Sequence, residues 1–109
     1  MTYIKINNTL YPASVVGKIS DKEWDGRESK TITLEMEYDA AFGLFIDGLI
    51  WSIVRKYEVD GEEKEVEYDN SEFVLAGDIT NHRDGTITVK MGKLTALEEA
   101  YEMMLGGVK

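Results

Sequence analysis

The side chains that could carry metal or redox chemistry are few. His82 is the only histidine, and the chain has no cysteine. A zinc site normally draws several nitrogen or sulfur ligands, and disulfides need paired cysteines. His82 also lies beside an Asp84-Gly85 turn signal, which predicts a turn residue rather than a ligand. We therefore expect no metal ion, no cofactor and no disulfide.

Motifs of catalytic and nucleotide-binding loops are incomplete in this sequence. In the segment Gly92-Lys93-Leu94-Thr95, the residue after the lysine is not the Ser or Thr that a phosphate-binding loop requires. No serine lies in the Gly-x-Ser-x-Gly elbow of hydrolases. Nothing in the spacing of the 21 acidic residues favours one carboxylate pair for glycoside hydrolysis. We expect no catalytic residue, no small-molecule substrate and a protein that is not an enzyme.

Acidic residues are concentrated in one segment. The chain carries a net charge of −9, from 12 basic and 21 acidic residues. Residues 58–72 hold eight acidic residues and one lysine, a net charge of −7. Nucleic acids and anionic membranes attract clustered Lys and Arg, so we expect the chain to bind neither directly. We therefore expect the chain to bind a protein partner or to self-associate.

Two features could serve such binding. The acidic residues Glu63, Glu65, Glu67 and Asp69 alternate along a predicted strand and would share one face. That face either keeps the protein solvated or steers a basic partner into place. Trp24 is the single large aromatic residue in the polar segment 20–30. It either folds back to close one end of the sheet or forms an exposed interface anchor.

Alternating segments predict the elements that position these residues. The central one, residues 48–60, begins as an apolar run and continues with alternation. Its neighbours are joined by tight-turn signals such as Asn7-Asn8 and Asp60-Gly61. Pro12 lacks an N–H and predicts a position at a sheet edge. The predicted strands span residues 3–6, 10–19, 31–38, 48–60, 64–68, 73–80 and 86–91.

Two helices complete the prediction. Residues 39–47 have apolar side chains at helical spacing and predict a short bridging helix, although Gly43 weakens it by about 1 kcal/mol relative to alanine. Thr95 and Glu98 form a capping box, and Gly106-Gly107 would end the C-terminal helix. We expect its apolar stripe to lie on the sheet. That stripe consists of Leu97, Ala100, Tyr101, Met104 and Leu105.

The chain is thus predicted to be one α+β domain covering residues 1–109. A six- or seven-stranded, mostly antiparallel sheet or partly open barrel would carry the short bridging helix and the C-terminal amphipathic helix. A barrel would allow a third function, ligand binding in a cavity lined by Trp51 and Tyr57, although core packing is the alternative for both side chains.

Three stretches together carry a resemblance: TYIKINNTLYPA, FIDGLIWSI and GDITNHRDGTITVKMGKLTALEEAYEMMLGG. The chain resembles small proteins of unknown biochemical role encoded in phage and prophage gene clusters of Gram-positive bacteria, some of them near tail genes. The resemblance implies a non-enzymatic structural or assembly module that works by contact, and it supplies no catalytic residue.

Two functions follow as expectations. The first is that structural or assembly module, located in the cytoplasm or, for a phage structural protein, in the virion. The N-terminus shows no basic region followed by an apolar core, so we expect no secretory signal. The alternative is an acidic decoy or inhibitor, whose carboxylate row imitates nucleic acid and occupies a basic partner such as a DNA-binding enzyme.

Overall fold

The fold is that of a computed structural model, which describes the backbone of residues 1–107 and the side chains of residues 1–104. Seven strands and two α-helices lie in this part of the chain, which confirms the α+β prediction. A short 3₁₀ turn, Lys22–Trp24, follows the second strand. The elements are β1 (Thr2–Ile6), β2 (Thr9–Asp21), β3 (Arg27–Glu35), α1 (Tyr38–Leu44), β4 (Ser52–Val59), β5 (Glu62–Asp69), β6 (Leu75–Asn81), β7 (Thr86–Gly92) and α2 (Ala96–Gly107).

The strands form one sheet in the order β5-β4-β1-β2-β3-β7-β6, and every neighbouring pair is antiparallel. The sheet does not close, so β5 and β6 are its two edges. Two of the turns have the conformation that their sequences predict. Asn7 and Asn8 have φ values of 51° and 64°, and Asp60 and Gly61 have 52° and 81°. Two successive positive φ angles are those of a type I′ hairpin turn.

Strand β2 joins the two halves of the sheet. It pairs with β1 from Thr9 to Pro12 and with β3 from Ala13 onward. The prediction that Pro12 marks a sheet edge was wrong, because β2 lies in the middle of the strand order. The missing N–H is tolerated because the ladder with β3 begins one residue after the proline.

The core lies on one face of the curved sheet and is covered by α1 and the connecting segments around it. Ile4, Ile32 and Val89, from three strands, are fully buried there. Trp51 and Phe73 pack over them edge to face, with ring centroids 6.4 Å apart, and the Trp51 indole donates a hydrogen bond to the Phe73 carbonyl. A buried indole N–H requires such a partner. Trp51 is therefore a core residue.

The bridging helix is present, but it begins at Tyr38, so β3 ends earlier than predicted, at Glu35. The predicted packing of the C-terminal helix was wrong. Leu97 is 81% exposed, and Tyr101 and Met104 are also exposed. The core face that could receive them is already filled by Trp51, Phe73 and α1. The predicted stripe residue Leu105 lies outside the described side chains, and α2 continues through Gly107.

Candidate interaction surfaces

A two-stranded arm projects from one end of the sheet. Strand β1 supports β4 only from Ser52 to Arg55, whereas β5 pairs with β4 along its whole length. The last support is at Lys56, whose carbonyl accepts a hydrogen bond from the Met1 amino group at 2.7 Å. The three residues 57–59 then extend the hairpin by roughly 10 Å. We call residues 55–68 the β4–β5 arm.

One face of the arm is aromatic and aliphatic. The register places Tyr57, Val59, Val66 and Tyr68 on the side that continues the core face through Ile53. Tyr57, Val59 and Tyr68 are each about half exposed. Arg55 lies on the same face and makes no ion pair with any described residue, while Lys64 pairs with Glu62 at 3.0 Å. We call this the aromatic face of the arm.

The opposite face of the arm is acidic, as the sequence predicts. Glu63, Glu65, Glu67 and Asp69 share it, and Glu58 lies directly opposite Glu63. Two of the four predicted residues are held by internal contacts. Glu67 accepts hydrogen bonds from Lys5 at 3.3 Å and Ser52 at 3.0 Å. Asp69 accepts from the hydroxyl and the backbone N–H of Ser71, which lowers the pKa of its carboxyl group.

Glu63 and Glu65 are exposed and make no hydrogen bond or ion pair with other described side chains. The hairpin therefore presents two free carboxylates of the predicted row, and not four. Lys56 interrupts the row further, because it faces Glu65 across the two strands. The acidic face thus keeps two of the predicted carboxylates, together with Glu58, available to a partner.

Trp24 lies at the other end of the sheet, on the face opposite the core. Its ring occupies the space that a Cβ at Gly77 or Gly92 would need, at 2.8 Å and 2.6 Å respectively. The Arg27 guanidinium carbon lies 5.0 Å from the ring centroid. Trp24 is half-buried. This packing supports the interpretation that Trp24 folds back on the sheet, while its role as a partner anchor stays a prediction.

Charged side chains around Trp24 hold this end together. Buried Asp21 accepts hydrogen bonds from Lys90 at 3.0 Å and Ser29 at 3.1 Å, and the Lys90 bond lowers the pKa of Asp21. Buried Arg27 donates to Glu98 at 2.6 Å and, with the Thr95 N–H, lowers the pKa of Glu98 to about 2. These contacts tie the first turn of α2 to β3. Sequence reasoning found the capping box but not its cationic partner.

A groove of about 900 Å³ runs between α1 and the edge strand β6. Its apolar wall comes from Tyr38, Phe42 and Ile46. Phe42 is 67% exposed, and its ring stacks on that of Tyr38 at 6.3 Å. Exposed Asp47 and Asp78 contribute negative charge, and no basic side chain of the described residues lines the groove. We call this the α1–β6 groove.

The sequence did not predict the groove, because the apolar spacing of residues 39–47 is also that of a helix whose apolar face is fully buried. The helix does bury Ala41, and Phe45 just beyond it, but Phe42 points outward. The predicted cavity lined by Trp51 and Tyr57 is wrong, since Trp51 is 1% exposed in the core and Tyr57 lies on the projecting arm.

Comparison with protein-family models, with curated proteins and with solved structures found no match for this chain. Among the described residues, no group of three His, Asp or Glu side chains is placed to hold a metal ion. Neither helix, over the part of the chain that is described, is long and apolar enough to cross a membrane. Function is therefore inferred from the surfaces themselves.

Proposed function

We propose that this chain is a non-enzymatic structural or assembly module that works by self-association or by contact with a protein partner. The observation that carries the proposal is the aromatic face of the β4–β5 arm. A two-stranded hairpin that projects from its sheet is marginally stable alone, and apolar side chains on it gain free energy when a partner covers them. Tyrosine is also among the residues that dominate binding energy at interfaces.

The resemblance to phage and prophage proteins, some encoded near tail genes, supports the same function. In that setting the chain acts in the cytoplasm or as a component of the virion. Small structural proteins assemble through repeated copies of one contact, and a rigid sheet with a projecting arm suits such a contact. The proposal requires no cofactor, nucleic acid, membrane or small-molecule substrate.

Light scattering of the full chain across a wide concentration range, at moderate salt, tests the proposal. We expect the average mass to rise with concentration and the rise to be lost in the double variant Tyr57→Ser, Tyr68→Ser. Both side chains are about half exposed, so the variant should retain the circular dichroism of the native sheet. A strict monomer that also retains no protein from a host lysate contradicts the proposed function.

A second candidate is the acidic decoy, favoured by the placement of Glu63 and Glu65 on one exposed face. Alternate residues on a strand are about 6.8 Å apart, which gives a regular row of charges. The double variant Glu63→Gln, Glu65→Gln spares Glu67 and Asp69, which make internal contacts. It should keep its fold and lose affinity for a basic DNA-binding protein. Affinity equal to that of the native chain excludes the decoy.

A further inference from the structure

We propose that the α1–β6 groove of one copy receives the aromatic face of the β4–β5 arm of a second copy. This inference rests on the proposed function and specifies its contact. It makes the assembly heterologous, in which two different surfaces of the same chain meet. Heterologous contacts produce rings or filaments, depending on the rotation between neighbouring copies.

Charge complementarity selects the arm as the occupant. The groove presents Asp47 and Asp78, both exposed. On the aromatic face of the arm, Lys64 is paired with Glu62, so Arg55 is the free cation among the described residues and the face has a net charge of +1. It therefore brings both apolar side chains and the charge of opposite sign to the groove.

Helix α2 is another exposed apolar element, and it has the wrong charge for the groove. Helix α2 exposes Leu97 and Tyr101, but its charged side chains in the described part are all acidic: Glu98, which is paired with Arg27, and the unpaired Glu99 and Glu102. Placing these carboxylates beside Asp47 and Asp78 would bring like charges together, which costs free energy at an interface. The acidic face of the arm is excluded for the same reason.

The contact must join two copies. The arm extends the β4–β5 end of the sheet, and the groove borders β6 at the opposite end of the strand order. Six interstrand spacings separate β5 from β6, which is roughly 29 Å along the sheet. Each copy therefore keeps one arm and one groove available for different neighbours.

Three single variants of the full chain test the inference. Tyr57→Ser removes an aromatic ring from the arm, and Phe42→Ser removes one from the groove. Ile19→Ser is the matched control, because Ile19 is 89% exposed on β2 and belongs to neither surface. We expect each of the first two variants to weaken self-association at least tenfold, about the loss that follows truncation of an interface aromatic side chain. Ile19→Ser should associate like the native chain.

Mixing the two weakened variants distinguishes a heterologous contact from a symmetric one. The Tyr57→Ser copy retains a native groove, and the Phe42→Ser copy retains a native arm. Their equimolar mixture should form a one-to-one pair, detected as twice the chain mass, and should not grow further. Asp78→Lys is a second groove variant, and it leaves the apolar side chains of α1 in place. Its altered groove should reject native arms, so it should not self-associate. Its own native arm should still form a one-to-one pair with the native groove of Tyr57→Ser.

Three outcomes overturn the inference. If Phe42→Ser and Asp78→Lys associate like the native chain while Tyr57→Ser does not, the arm binds a surface other than the groove, and the proposed function stands. If the mixture of Tyr57→Ser and Phe42→Ser stays monomeric, the contact is not heterologous, and self-assembly again stands. A native chain that is monomeric at every concentration overturns the inference, and self-association falls with it.

Discussion

Two glycines make room for Trp24, and their substitution has a predictable cost. A Cβ at Gly92 would lie 2.6 Å from the Trp24 ring and 2.8 Å from the Arg27 side chain, so both must move. We expect Gly92→Ala to lower the free energy of unfolding by about 1–3 kcal/mol, the range for overpacked sites. Urea denaturation followed by circular dichroism measures the change.

Gly43→Ala is the matched control, because nothing lies within 4 Å of a Cβ at that position. Gly43 lies in α1, where alanine is favoured over glycine by about 1 kcal/mol. The control should therefore be neutral or stabilising. Equal destabilisation by the two substitutions would show that Trp24 does not pack closely on Gly92.

The ion pair between Glu98 and Arg27 predicts part of the acid sensitivity. The pKa of Glu98 is lowered from 4.5 to about 2, chiefly by the Arg27 hydrogen bond. A lowered pKa means that the ionised group stabilises the fold at pH values above 4.5, and that this contribution is lost as the pH falls towards 2. Glu98→Gln should therefore reduce the change in unfolding free energy between these two pH values.

Urea midpoints measured from pH 6 to pH 2 would show the effect of Glu98→Gln. Glu102→Gln is the control, since Glu102 lies on the same helix and makes no hydrogen bond or ion pair with the described residues. Asp21, Asp69 and Asp84 also have lowered pKa values, so some acid sensitivity must remain. Parallel pH profiles for the native chain and Glu98→Gln would argue against the Arg27 contact.

Residue patterns predicted contacts well where the partners are close in sequence. The Thr95–Glu98 capping box is present, with hydrogen bonds of 2.9 Å and 3.2 Å in both directions. Asn7 and Asn8 adopt the positive φ values that their pair predicts. The Arg27–Glu98 pair was not predicted, because 71 positions separate the two residues and no local pattern links them.

Among the elements, helix α2 is fixed only at its start, as far as its described side chains, through Met104, show. Its first turn holds Glu98 against Arg27, while its later apolar side chains are exposed. A 12-residue helix without tertiary packing is marginally stable. Thr95→Ala removes the side-chain cap, which costs about 1 kcal/mol. We expect it to lower helical content and leave the melting temperature of the sheet nearly unchanged.

Far-UV circular dichroism near 222 nm and amide exchange in residues 96–104 measure this effect. Thr95→Ser preserves the hydroxyl and should behave like the native chain. A large drop in the melting temperature of the sheet for Thr95→Ala would mean that α2 supports the core more than its exposed side chains indicate.

Elements were predicted better than their packing. The sequence predicted six or seven strands, and each predicted segment overlaps one of the seven strands of the described chain, although the bounds of β3 and β4 differ. Burial confirms that Ile32, Leu34 and Val89 face the core. Periodicity shows that a helix has an apolar face, but not what covers that face. The same stripe can pack on the sheet of its own chain or on another protein. The open face of α2 and outward-pointing Phe42 were missed for that reason.

At the scale of the whole molecule, long-range charge opposes association. The chain measures 54 × 35 × 26 Å and carries a net charge of −9. Copies of it repel one another, and salt shortens the range of this repulsion, since the Debye length falls from about 30 Å at 0.01 M to about 10 Å at 0.1 M salt. We therefore expect self-association to strengthen as salt rises from about 0.01 M to 0.15 M. Attraction within the contact is short-range and is screened less.

Light scattering at four or five salt concentrations gives the association constants, and these test whether association strengthens as the salt concentration rises. The variant with Gln at positions 63 and 65 has a net charge two units less negative and should depend less on salt. Association that weakens steadily over the same range would mean that local ion pairs, and not apolar contacts, dominate the interface.

The two tryptophans give the protein a pair of separate optical reporters. Trp51 is enclosed in the core, whereas Trp24 lies half-exposed beneath a guanidinium group on the opposite face of the sheet. In Trp24→Phe, the remaining indole emission reports on core integrity alone and should resist quenching by acrylamide. The difference between native and variant spectra then isolates Trp24. Fluorescence can thus follow loosening of the Arg27–Glu98 end and melting of the core as distinct events in one sample.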